Sequence, residues 1–354
     1  MPTFNIVKTA EPKKTFRVAS IMGKFDLESN QIKEHFEGNI DIKDNWQIGL
    51  IVGKSGSGKT TIAKQLFPDS YITNFQYSAE TILDDMPKDC SVEDITKAFN
   101  SVGFSSPPSW LKSYSVLSNG EKMRVDLARA ILDEQNLFVF DEFTSVVDRN
   151  VAQIGSFAMQ KAIRKTNKHF IAVTCHYDVE DWLLPDWVFD TDSMTFRSND
   201  GQKKNRPDIK FEIFKTTDKS IWKMFAKHHY LSHNHNNAAQ VYLAYINNQL
   251  AGFISILHLP NRDKTIKKVH RLVILPDYQG LSIGVKLLNE IGKIYKKDGW
   301  RFTIVTSSPS LMFSLKRQVE WVCKNIGRLP PPNQLKEMIK TQSTNRLTTS
   351  WELK

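Results

Sequence analysis

The chain has 354 residues, of which 40% are hydrophobic and 24% are charged. This length corresponds to about two domains, and the composition excludes a fibrous, low-complexity or disordered protein. The sequence holds no apolar run near the length that spans a bilayer, and its first residues lack the apolar core of a signal peptide. The three cysteines, Cys90, Cys175 and Cys323, are scattered, which argues against a disulfide framework and predicts a cytoplasmic protein.

Charge is distributed unevenly along the chain. Residues 1–200 contain 22 Lys and Arg against 28 Asp and Glu, whereas residues 201–354 contain 26 against 10. The formal net charge of +10 therefore comes from the second half. This asymmetry predicts that the second half meets a polyanion and that the first half does not; a solubilising basic surface is the alternative.

The first region alternates strand-like and helix-like segments. Apolar runs at Trp46–Val52, Leu137–Phe140 and Phe170–Thr174 predict buried strands, with helical patterns between them. This order is typical of an α/β domain with a mainly parallel sheet. The polar stretch SNDGQKKNRPDIK, residues 198–210, contains a Gly and a Pro and predicts a linker after this domain.

The segment GKSGSGKT, residues 53–60, fits the phosphate-loop pattern G-x-x-x-x-G-K-[ST] between an apolar strand and a helix-like run. Its glycines allow backbone N–H groups to turn inward around phosphates. Lys59 is expected to reach the β- and γ-phosphates of ATP, and the Thr60 hydroxyl to bind Mg²⁺. The predicted ATP-binding residues here are Gly53, Lys54, Ser55, Gly56, Ser57, Gly58, Lys59, Thr60 and Thr61.

The run LFVFDE, residues 137–142, supplies the expected partner of that loop. Four apolar residues predict a buried strand, and Asp141 emerges at its end to hold the Mg²⁺ ion. Glu142, the next residue, is placed to polarise the attacking water as the catalytic residue of ATP hydrolysis.

Three more segments occur in the order typical of one family. LSNGEKMRVDLARAIL, residues 117–132, resembles the signature loop and helix of ABC-type ATPases, whose usual form is LSGGQ. SVVD, residues 145–148, resembles their D-loop, and His176 after the strand FIAVTC resembles their catalytic switch histidine. The chain departs from the usual signature at Asn119 and Glu121, which replace a Gly and a Gln.

This resemblance implies an assembly. In ABC proteins the signature site of one subunit grips the γ-phosphate bound by the other, so Ser118, Asn119 and Gly120 are expected to act on a partner's ATP. A homodimer that sandwiches two ATP molecules follows. Gln76 is the candidate Q-loop glutamine and Phe25 the candidate adenine-stacking residue. With no membrane segment in the sequence, a transporter subunit is not expected.

After the linker, the sequence predicts a helix, a hairpin and then alternating strands and helices. The predicted elements are the helix DKSIWKMFAKHHYL (218–231) capped by Asp218 or Thr217, the hairpin QVYLAYI and LAGFISIL around Asn247-Asn248, the strand VHRLVIL, a helix from Ile283, the strand RFTIVT and a helix near Pro309.

The segment DYQGLSIG, residues 277–284, lies between the strand VHRLVIL and the helix from Ile283. It resembles motif A of the GNAT acyltransferases, [QR]-x-x-G-x-[GA], with Ser282 where glycine is customary. N–H groups at the start of that helix can hold the pyrophosphate of coenzyme A. The resemblance implies that acetyl-CoA or another acyl-CoA is bound by Val273, Ile274, Gln279, Gly280, Leu281, Ser282, Ile283 and Gly284.

The whole chain resembles the ABC–GNAT fusion proteins often encoded in prophages. This implies a P-loop NTPase domain of α/β class followed by an α+β GNAT domain. The predicted boundaries are 1–198 for the ATPase domain, 199–210 for the linker, 211–320 for the acyltransferase domain and 321–354 for a basic C-terminal extension.

Acyl transfer requires a group that takes a proton from the amine and an acid for the departing thiolate. His229 and Tyr230 end the predicted helix beside the acceptor cleft, and we expect them to act as this pair, because His exchanges protons near neutral pH. His228 precedes this pair at the end of the same predicted helix. The second choices are His270 or Arg271 on the motif strand, and Ser307 or Ser308 at the end of the next strand.

Three functional hypotheses remain open at this stage. The first is an ATPase-coupled N-acyltransferase that acts on DNA or RNA, which the basic second half favours. The second is a protein-lysine or small-amine acetyltransferase regulated by ATP. The third is an ATP-dependent nucleic-acid clamp whose GNAT fold only binds, which the serine at position 282 favours.

Overall fold

A computed structural model describes residues 3–10, 13, 15–26, 32–72, 75–199, 209–229, 234–259, 266–327 and 347–354. The helices in these ranges are α1 (Phe16–Lys24), α2 (Lys59–Leu66), α3 (Val92–Ser101), α4 (Pro107–Trp110), α5 (Asn119–Leu132), α6 (Arg149–Ile163), α7 (Val179–Leu183), α8 (Trp222–Ala226), α9 (Ile283–Lys297) and α10 (Pro309–Lys316). The strands are β1 (Thr3–Ala10), β2 (Ile32–Asn39), β3 (Ile48–Val52), β4 (Leu137–Phe140), β5 (His169–Thr174), β6 (Trp187–Asp190), β7 (Thr195–Ser198), β8 (Phe211–Thr216), β9 (Gln240–Ile246), β10 (Gln249–Leu259), β11 (Ile266–Ile274), β12 (Arg301–Thr306), β13 (Trp321–Gly327) and β14 (Thr348–Leu353).

The chain forms two compact units that are not continuous in sequence. The first unit comprises Met1–Phe75, Asp133–Asp148 and Met159–Arg206; the second comprises Gln76–Leu132, Arg149–Ala158 and Pro207–Lys354. Residues 76–132, which carry the signature segment, therefore share a unit with the region predicted to be the acyltransferase. The predicted domain limits follow the sequence motifs, and these compact units cut across them.

A five-stranded sheet organises the first unit. Its order is β4-β5-β3-β6-β7, with the first four strands parallel and β7 antiparallel at the edge. The three predicted strands are confirmed as β3, β4 and β5. Every side chain of β3 is buried, as expected for a central parallel strand that is covered on both faces. In such a sheet the strands end at one edge, which is where ligands of α/β proteins bind.

An antiparallel ribbon of β1 and β2 packs within the same unit. The two strands pair from Thr3 opposite Asn39 to Ala10 opposite Ile32. Phe4 of β1 and Phe36 of β2 are buried in one cluster with Phe189 of β6, and the rings of Phe4 and Phe189 meet edge to face at 5.6 Å. The ribbon is therefore held to the sheet by aromatic packing.

A seven-stranded sheet organises the second unit. Its order is β13-β14-β12-β11-β10-β9-β8, in which β11 and β12 are parallel and the other neighbours are antiparallel. α9 packs Leu287, Leu288 and Ile291 into the main core on this sheet. Helices and a mostly antiparallel sheet in this order give the α+β arrangement that the sequence predicts.

Most predicted elements after the linker are confirmed. β9 and β10 form the hairpin, and Asn247 and Asn248 at its turn have φ values of 48° and 65°, a left-handed conformation that Asn tolerates. α9 begins at Ile283 and α10 at Pro309, as predicted.

The helix predicted over 218–231 is wrong in length. Within the described residues 218–229, only the five residues of α8 are α-helical. Asp218 does not cap it: its carboxylate accepts from Ser220 N at 2.8 Å, which makes a local turn before the helix. On both sides of α8 the backbone forms turns, in which an N–H donates to the carbonyl three residues earlier. One such bond is His229 N to Ala226 O at 3.1 Å. Tyr230 lies outside the described residues.

The predicted C-terminal extension supplies two strands of the second sheet. β14 lies between β12 and β13 and pairs with both. Trp321, Trp351 and Leu353 are buried in the core beneath α9. The sheet therefore continues beyond the predicted domain limit at 320.

The helical part of the second unit contains α3, α4 and α5. Phe99 of α3 is buried and packs edge to face on Phe104 at 5.2 Å, and α3 lies against α5. Nowhere in the described ranges is there a helix with the length and apolar character needed to cross a membrane.

Candidate functional site

The first candidate site lies at the carboxyl edge of the parallel sheet. Val52 at the end of β3 pairs with Thr174 of β5, and Phe140 of β4 pairs with Ala172 of β5. The phosphate loop that follows β3, the acids that follow β4 and His176 that follows β5 therefore emerge from adjacent strand ends. The register brings together the predicted ATP-binding and catalytic residues of this unit.

The phosphate loop has the backbone that its glycines predict. Gly56 and Gly58 both have φ of 85°, in the region that favours glycine. A Cβ at Gly58 would lie 2.5 Å from the Phe36 ring, so no larger residue fits there. The loop is tied within its unit by Ser57 Oγ and Thr191 Oγ1 at 2.5 Å, and by Lys54 N donating to Asp192 Oδ1 at 2.9 Å.

Lys59 and Thr60 lie at the start of α2. Lys59 is 8% exposed as a residue, and its ammonium donates to Lys54 O at 2.6 Å, so it bonds back to its own loop. Thr60 Oγ1 donates to Asp141 Oδ2 at 2.9 Å, which joins a hydroxyl and a carboxylate oxygen of the kinds that Mg²⁺ prefers. Burial and the neighbouring Asp141 raise the pKa of Tyr71 above its usual value. These residues fit an Mg·ATP site.

Glu142 and His176 are the catalytic candidates at the same edge. Glu142 is exposed, has φ of 52° and donates its backbone N–H to Asp141 Oδ1 at 2.9 Å. This left-handed turn directs the chain sharply away after β4 and is a costly conformation for a non-glycine residue. His176 is half-buried, and its backbone N–H donates to Thr174 Oγ1 at 3.2 Å.

The signature segment forms a reciprocal cap in the second unit. Ser118 Oγ accepts from Glu121 N at 3.3 Å, and Ser118 N donates to Glu121 Oε2 at 3.1 Å. Glu121 is 9% exposed and also accepts from Ser109 Oγ at 2.9 Å. Glu121, which replaces the usual glutamine of the signature, thus stabilises the start of α5. Ser118 and Asn119 remain exposed there, while Gly120 is buried.

A cluster of two tyrosines and an acidic residue lies beside the candidate Q-loop residue. Gln76 is exposed, and its carbonyl accepts from Arg129 Nη1 at 2.7 Å. Tyr77 and Tyr114 stack at 3.9 Å, and both hydroxyls donate to Asp126 of α5. Burial raises the pKa of Asp126, which the two hydroxyls oppose. No sequence spacing marks this cluster. Phe25 is 64% exposed, and its role stays a prediction.

The second candidate site lies where two parallel strands separate. β11 and β12 pair only at Ile266–Lys268 and Arg301–Thr303. Beyond that point both strands continue without pairing to each other. β11 also carries an irregularity, because Ser255 and Ile256 of β10 pair with Arg271 and Val269 and leave His270 as the extra residue.

The predicted acyl-CoA loop closes the end of this opening. Gly280 has φ of 93°, and Ser282 has φ of 62° and ψ of 22°, so the serine adopts the left-handed conformation in place of the customary glycine. α9 begins at the next residue, Ile283. A Cβ at Gly284 would touch Ile274 at 3.4 Å, which keeps the helix close to the strand. Successive N–H groups at a helix start form an anion-binding site, so the loop fits a pyrophosphate.

The other predicted acyl-CoA residues lie around this loop. Val273 is buried in β11, and Ile274 O accepts from Gln279 Nε2 at 2.9 Å. The Gln279 side chain also accepts from Ser105 N at 2.8 Å, so it bridges two protein segments. Leu281 is half-buried and Ile283 is buried in a cluster with Tyr278.

A cavity of about 530 Å³ fills the opening between β11 and β12. Its walls include Val273, Ile274, Gly280, Ser282 and Gly284. Another wall comes from the helical part of the unit, a contact that no sequence motif predicts. The residues from that part are Asn100, Ser105, Pro107 and Trp110.

The catalytic candidates of acyl transfer occupy the same cavity. His228 and His229 line it, as do His270, Ser307 and Ser308. Burial lowers the pKa of His228 below its usual value. Burial also lowers the pKa of His270 to about 4, and the neighbouring Arg271, His235 and Lys268 add to this effect.

Two of these histidines differ in what their rings contact. His270 Nε2 accepts from Asn236 N at 3.2 Å, so its basic nitrogen is already used. His229 is 7% exposed and its ring meets Trp222 edge to face at 5.7 Å. The arrangement therefore favours His228 and His229 over His270 as proton acceptors.

Comparison with known proteins identifies the two parts of the chain. Residues 208–310 match the family model for the acetyltransferase (GNAT) family. The chain is 27% identical over 179 residues to the energy-coupling factor transporter ATP-binding protein EcfA of Aster yellows witches'-broom phytoplasma, a match that covers 40% of this chain and 64% of that protein. An EcfA of Malacoplasma penetrans is 23% identical over 236 residues, covering 52% and 75%.

Solved structures give weaker similarities. The dimeric bacterial ABC transporter cassette MJ0796 has a TM-score of 0.39 at 15% identity, covering 53% of this chain and 92% of that one. The IAA acetyltransferase from Bacillus cereus has a TM-score of 0.30 at 15% identity, covering 41% and 99%. The chain spans less than two thirds of the phytoplasma relative. Residues 208–310 therefore contain a GNAT-family domain, and another part of the chain is similar to ABC ATP-binding proteins, which supports the predicted ABC–GNAT fusion.

Proposed function

We propose that the chain is an ATP-hydrolysing ABC-type ATPase coupled to an N-acyltransferase that moves an acyl group from acyl-CoA to an amine. The cavity between β11 and β12 carries the acyl-transfer part of this proposal, because it runs beside the helix-start loop 280–284 and is lined by three buried or half-buried histidines. The left-handed Ser282 supports a binding loop, since it supplies the backbone turn that glycine usually gives.

ATP binding and hydrolysis would use the carboxyl edge of the parallel sheet. Thr60 and Asp141 would hold Mg²⁺, whose charge offsets that of the phosphates when it is bound. Lys59 would turn from Lys54 O to the phosphates, and Glu142 would orient and deprotonate the attacking water. His176 would contact the γ-phosphate from the adjacent strand end.

A homodimer follows from the division of labour between the two ATP-contacting segments. Each chain has one phosphate loop and one signature segment, and the signature of ABC proteins acts on the nucleotide of a partner. Ser118 and Asn119 are exposed at the start of α5, as such a contact requires. Two copies would therefore enclose two ATP molecules.

In the acyl transfer step, the amine nitrogen attacks the thioester carbonyl carbon and the carbon–sulfur bond breaks. The proton leaves the amine for His229, or for His228, whose lowered pKa keeps the ring neutral at pH 7. The departing thiolate takes a proton from an acid, for which Tyr230 remains the proposed residue. The N–H groups of 280–285 would hold the coenzyme's pyrophosphate.

The proposed acceptor is an amine on DNA or RNA. The excess of 26 basic over 10 acidic residues after position 200 supports a polyanion. Lys267 Nζ lies 4.2 Å from the centre of the half-buried Trp300 ring, which combines a cation with an aromatic surface of the kind that bases stack on. A protein lysine or a small amine is the second candidate, and a clamp that only binds nucleic acid is the third.

One experiment tests both activities. The chain is incubated with Mg·ATP, acetyl-CoA and either duplex DNA, RNA, a lysine peptide pool or spermidine, and free thiol, phosphate and acetylated mass are measured. We expect free thiol to be released and one of the acceptors to gain the mass of an acetyl group. In a His228→Gln, His229→Gln double variant, both the thiol release and the mass gain should be lost. If acetyl-CoA binds but no acetyl group is transferred, the acyltransferase proposal is overturned and only the nucleic-acid clamp remains.

A further inference from the structure

The signature helix α5 directly holds the segment that leads into the acyl-CoA loop. Arg124 of α5 is 1% exposed. Its Nη1 donates to Pro276 O at 3.0 Å and its Nη2 donates to Asp277 O at 2.9 Å. The Asp277 carboxylate lies 3.8 Å from the same guanidinium. These contacts lie three to four residues before Gly280.

A second contact between the same two parts lies at the loop itself. Ser105 N donates to Gln279 Oε1 at 2.8 Å, and the other end of that side chain donates to Ile274 O at 2.9 Å. Gly103, with φ of 84°, lies so close that a Cβ there would be 2.6 Å from Gln279 O. The helical part therefore fixes the loop from outside the acyltransferase fold.

A guanidinium is an unusual way to fill this buried position. Burial of a charge is costly, and an apolar side chain of similar size would often stabilise the fold as well or better. What Arg124 adds is direction, because its rigid, planar fork fixes two carbonyl groups at set angles. The orientation of the peptides at 276–277 in turn sets the approach of the chain to the left-handed residues Gly280 and Ser282.

The same helix carries the proposed γ-phosphate contact. Ser118 and Asn119 stand at its start, and Arg124 follows six residues after Ser118, which is about 9 Å along the axis. An α-helix of this length moves as one body. A shift of α5 when a partner's ATP meets Ser118 would therefore move the peptides at 276–277.

We propose that Arg124 is a positioning residue for the acyl-CoA loop, through which nucleotide at the signature segment and acyl-CoA at residues 280–284 alter each other's affinity. This inference rests on the proposed function of both sites. Linkage requires the effect to be reciprocal: the factor by which ATP changes the acetyl-CoA dissociation constant equals the factor by which acetyl-CoA changes that of ATP.

Calorimetry on the full chain tests the inference. Acetyl-CoA is titrated into the Glu142→Gln variant, which should not turn over ATP, with and without saturating Mg·ATP, and ATP is titrated with and without acetyl-CoA. We expect both factors to be equal and about fivefold or more, in the usual range of allosteric coupling. Arg124→Lys keeps the charge but loses the rigid planar fork that fixes both carbonyl groups at set angles, so with it added we expect the factor to fall below about twofold.

The controls separate coupling from folding and from the proposed function. Arg301→Lys weakens another Arg contact, to Glu352, in the same sheet and should leave the factor unchanged. Asp277→Asn keeps the backbone bonds of Arg124, so we expect a partial fall even if Arg124→Lys does not fold. Acetyl-CoA binding that is the same with and without ATP, or coupling that survives in Arg124→Lys, overturns the inference alone. No acetyl-CoA binding in any state overturns the proposed acyl transfer together with it.

Discussion

The two candidate phosphate loops reach similar ends by different means. The loop 53–60 takes its shape from glycines with φ of 85°, carries its own lysine and is tied to Thr191 and Asp192 of its own unit's sheet. The loop 279–284 has a left-handed serine and contains no lysine. In the helical part, Ser105 holds its Gln279 and Arg124 holds the carbonyl groups of residues 276–277 just before it. The first loop is thus shaped by its own glycines and held by residues that follow a strand of its own sheet, whereas the second takes its support from the helical part, which lies outside the sheet.

The largest expected effect separates chemistry from binding at the first loop. Glu142→Gln removes the proposed base, so ATP turnover should fall by about a hundredfold to ten-thousandfold, the usual contribution of a positioned base. ATP affinity should remain, and the variant should accumulate as a dimer in sedimentation with Mg·ATP. A variant that stays monomeric under these conditions would contradict the ATP sandwich.

The next effect concerns the lysine that only the first loop possesses. Lys59→Ala should weaken ATP binding about tenfold to a hundredfold, because bonds from a cation to the phosphates contribute roughly 1.5–3 kcal/mol. Calorimetry with ATP and then with acetyl-CoA measures both sites. Lys64→Ala, an exposed cation on the same helix, is the matched control and should change ATP affinity less than about twofold. An equal loss of acetyl-CoA affinity in Lys59→Ala would argue that the loops are not distinct.

A substitution in the second loop tests its dependence on the helical part. Gly280→Ala introduces a Cβ about 3.0 Å from Ala158 and Gly103 at φ of 93°. We expect about tenfold weaker acetyl-CoA binding, since one crowded contact and an unfavourable φ together cost about 1–2 kcal/mol. Gly299→Ala has φ of 81° with open space around the Cβ, so it reports backbone strain without crowding. Equal losses in both variants would remove crowding as the cause.

A smaller effect, on the pH dependence of stability, is expected from His270, which is half-buried in the cavity. The pKa of His270 is held at about 4 in the folded chain, below the value of 6.5 expected when unfolded. The unfolded chain therefore binds more protons between these values, so His270 lowers stability as pH falls through that window. With allowance for its partial exposure, we expect about 1 kcal/mol between pH 7 and pH 4.5. Thermal unfolding of His270→Gln should show a weaker pH dependence; an unchanged profile would contradict the assignment.

The smallest effect belongs to the serine at the left-handed position. Ser282→Gly should keep acetyl-CoA affinity within about twofold and change the unfolding free energy by at most about 1 kcal/mol, because glycine takes φ of 62° without strain but is more flexible when unfolded. Calorimetry and denaturant titration measure the two quantities. A tenfold loss of affinity would show instead that the Ser282 side chain contacts the ligand.

The sequence was sufficient for features that residues encode locally. GKSGSGKT and the runs around LFVF predict a loop and strands that the structure contains, and Asn247-Asn248 predicts the hairpin turn. Local patterns also placed the start of α9 and the candidate loop before it.

Features that depend on distant packing could not be predicted. No periodicity in residues 100–110 indicates that they line a cavity with β11 and β12, and Arg124 reads in sequence as an ordinary helix residue. β13 lacks a regular alternation of buried and exposed residues, and its partner β14 follows only after residue 347. The helix predicted at 218–231 was too long. The Asp218 side chain accepts a backbone bond before α8, and turns with bonds to the carbonyl three residues earlier flank α8 on both sides.

The position of β14 has a consequence for synthesis. This strand is inserted between β12 and β13, so the sheet that carries the candidate acyl-CoA cavity has a gap until residues 348–353 have left the ribosome. Segment 76–132 emerges much earlier and must wait for the sheet on which it packs. The nascent chain can thus form the loop 53–60 well before the cavity between β11 and β12 exists.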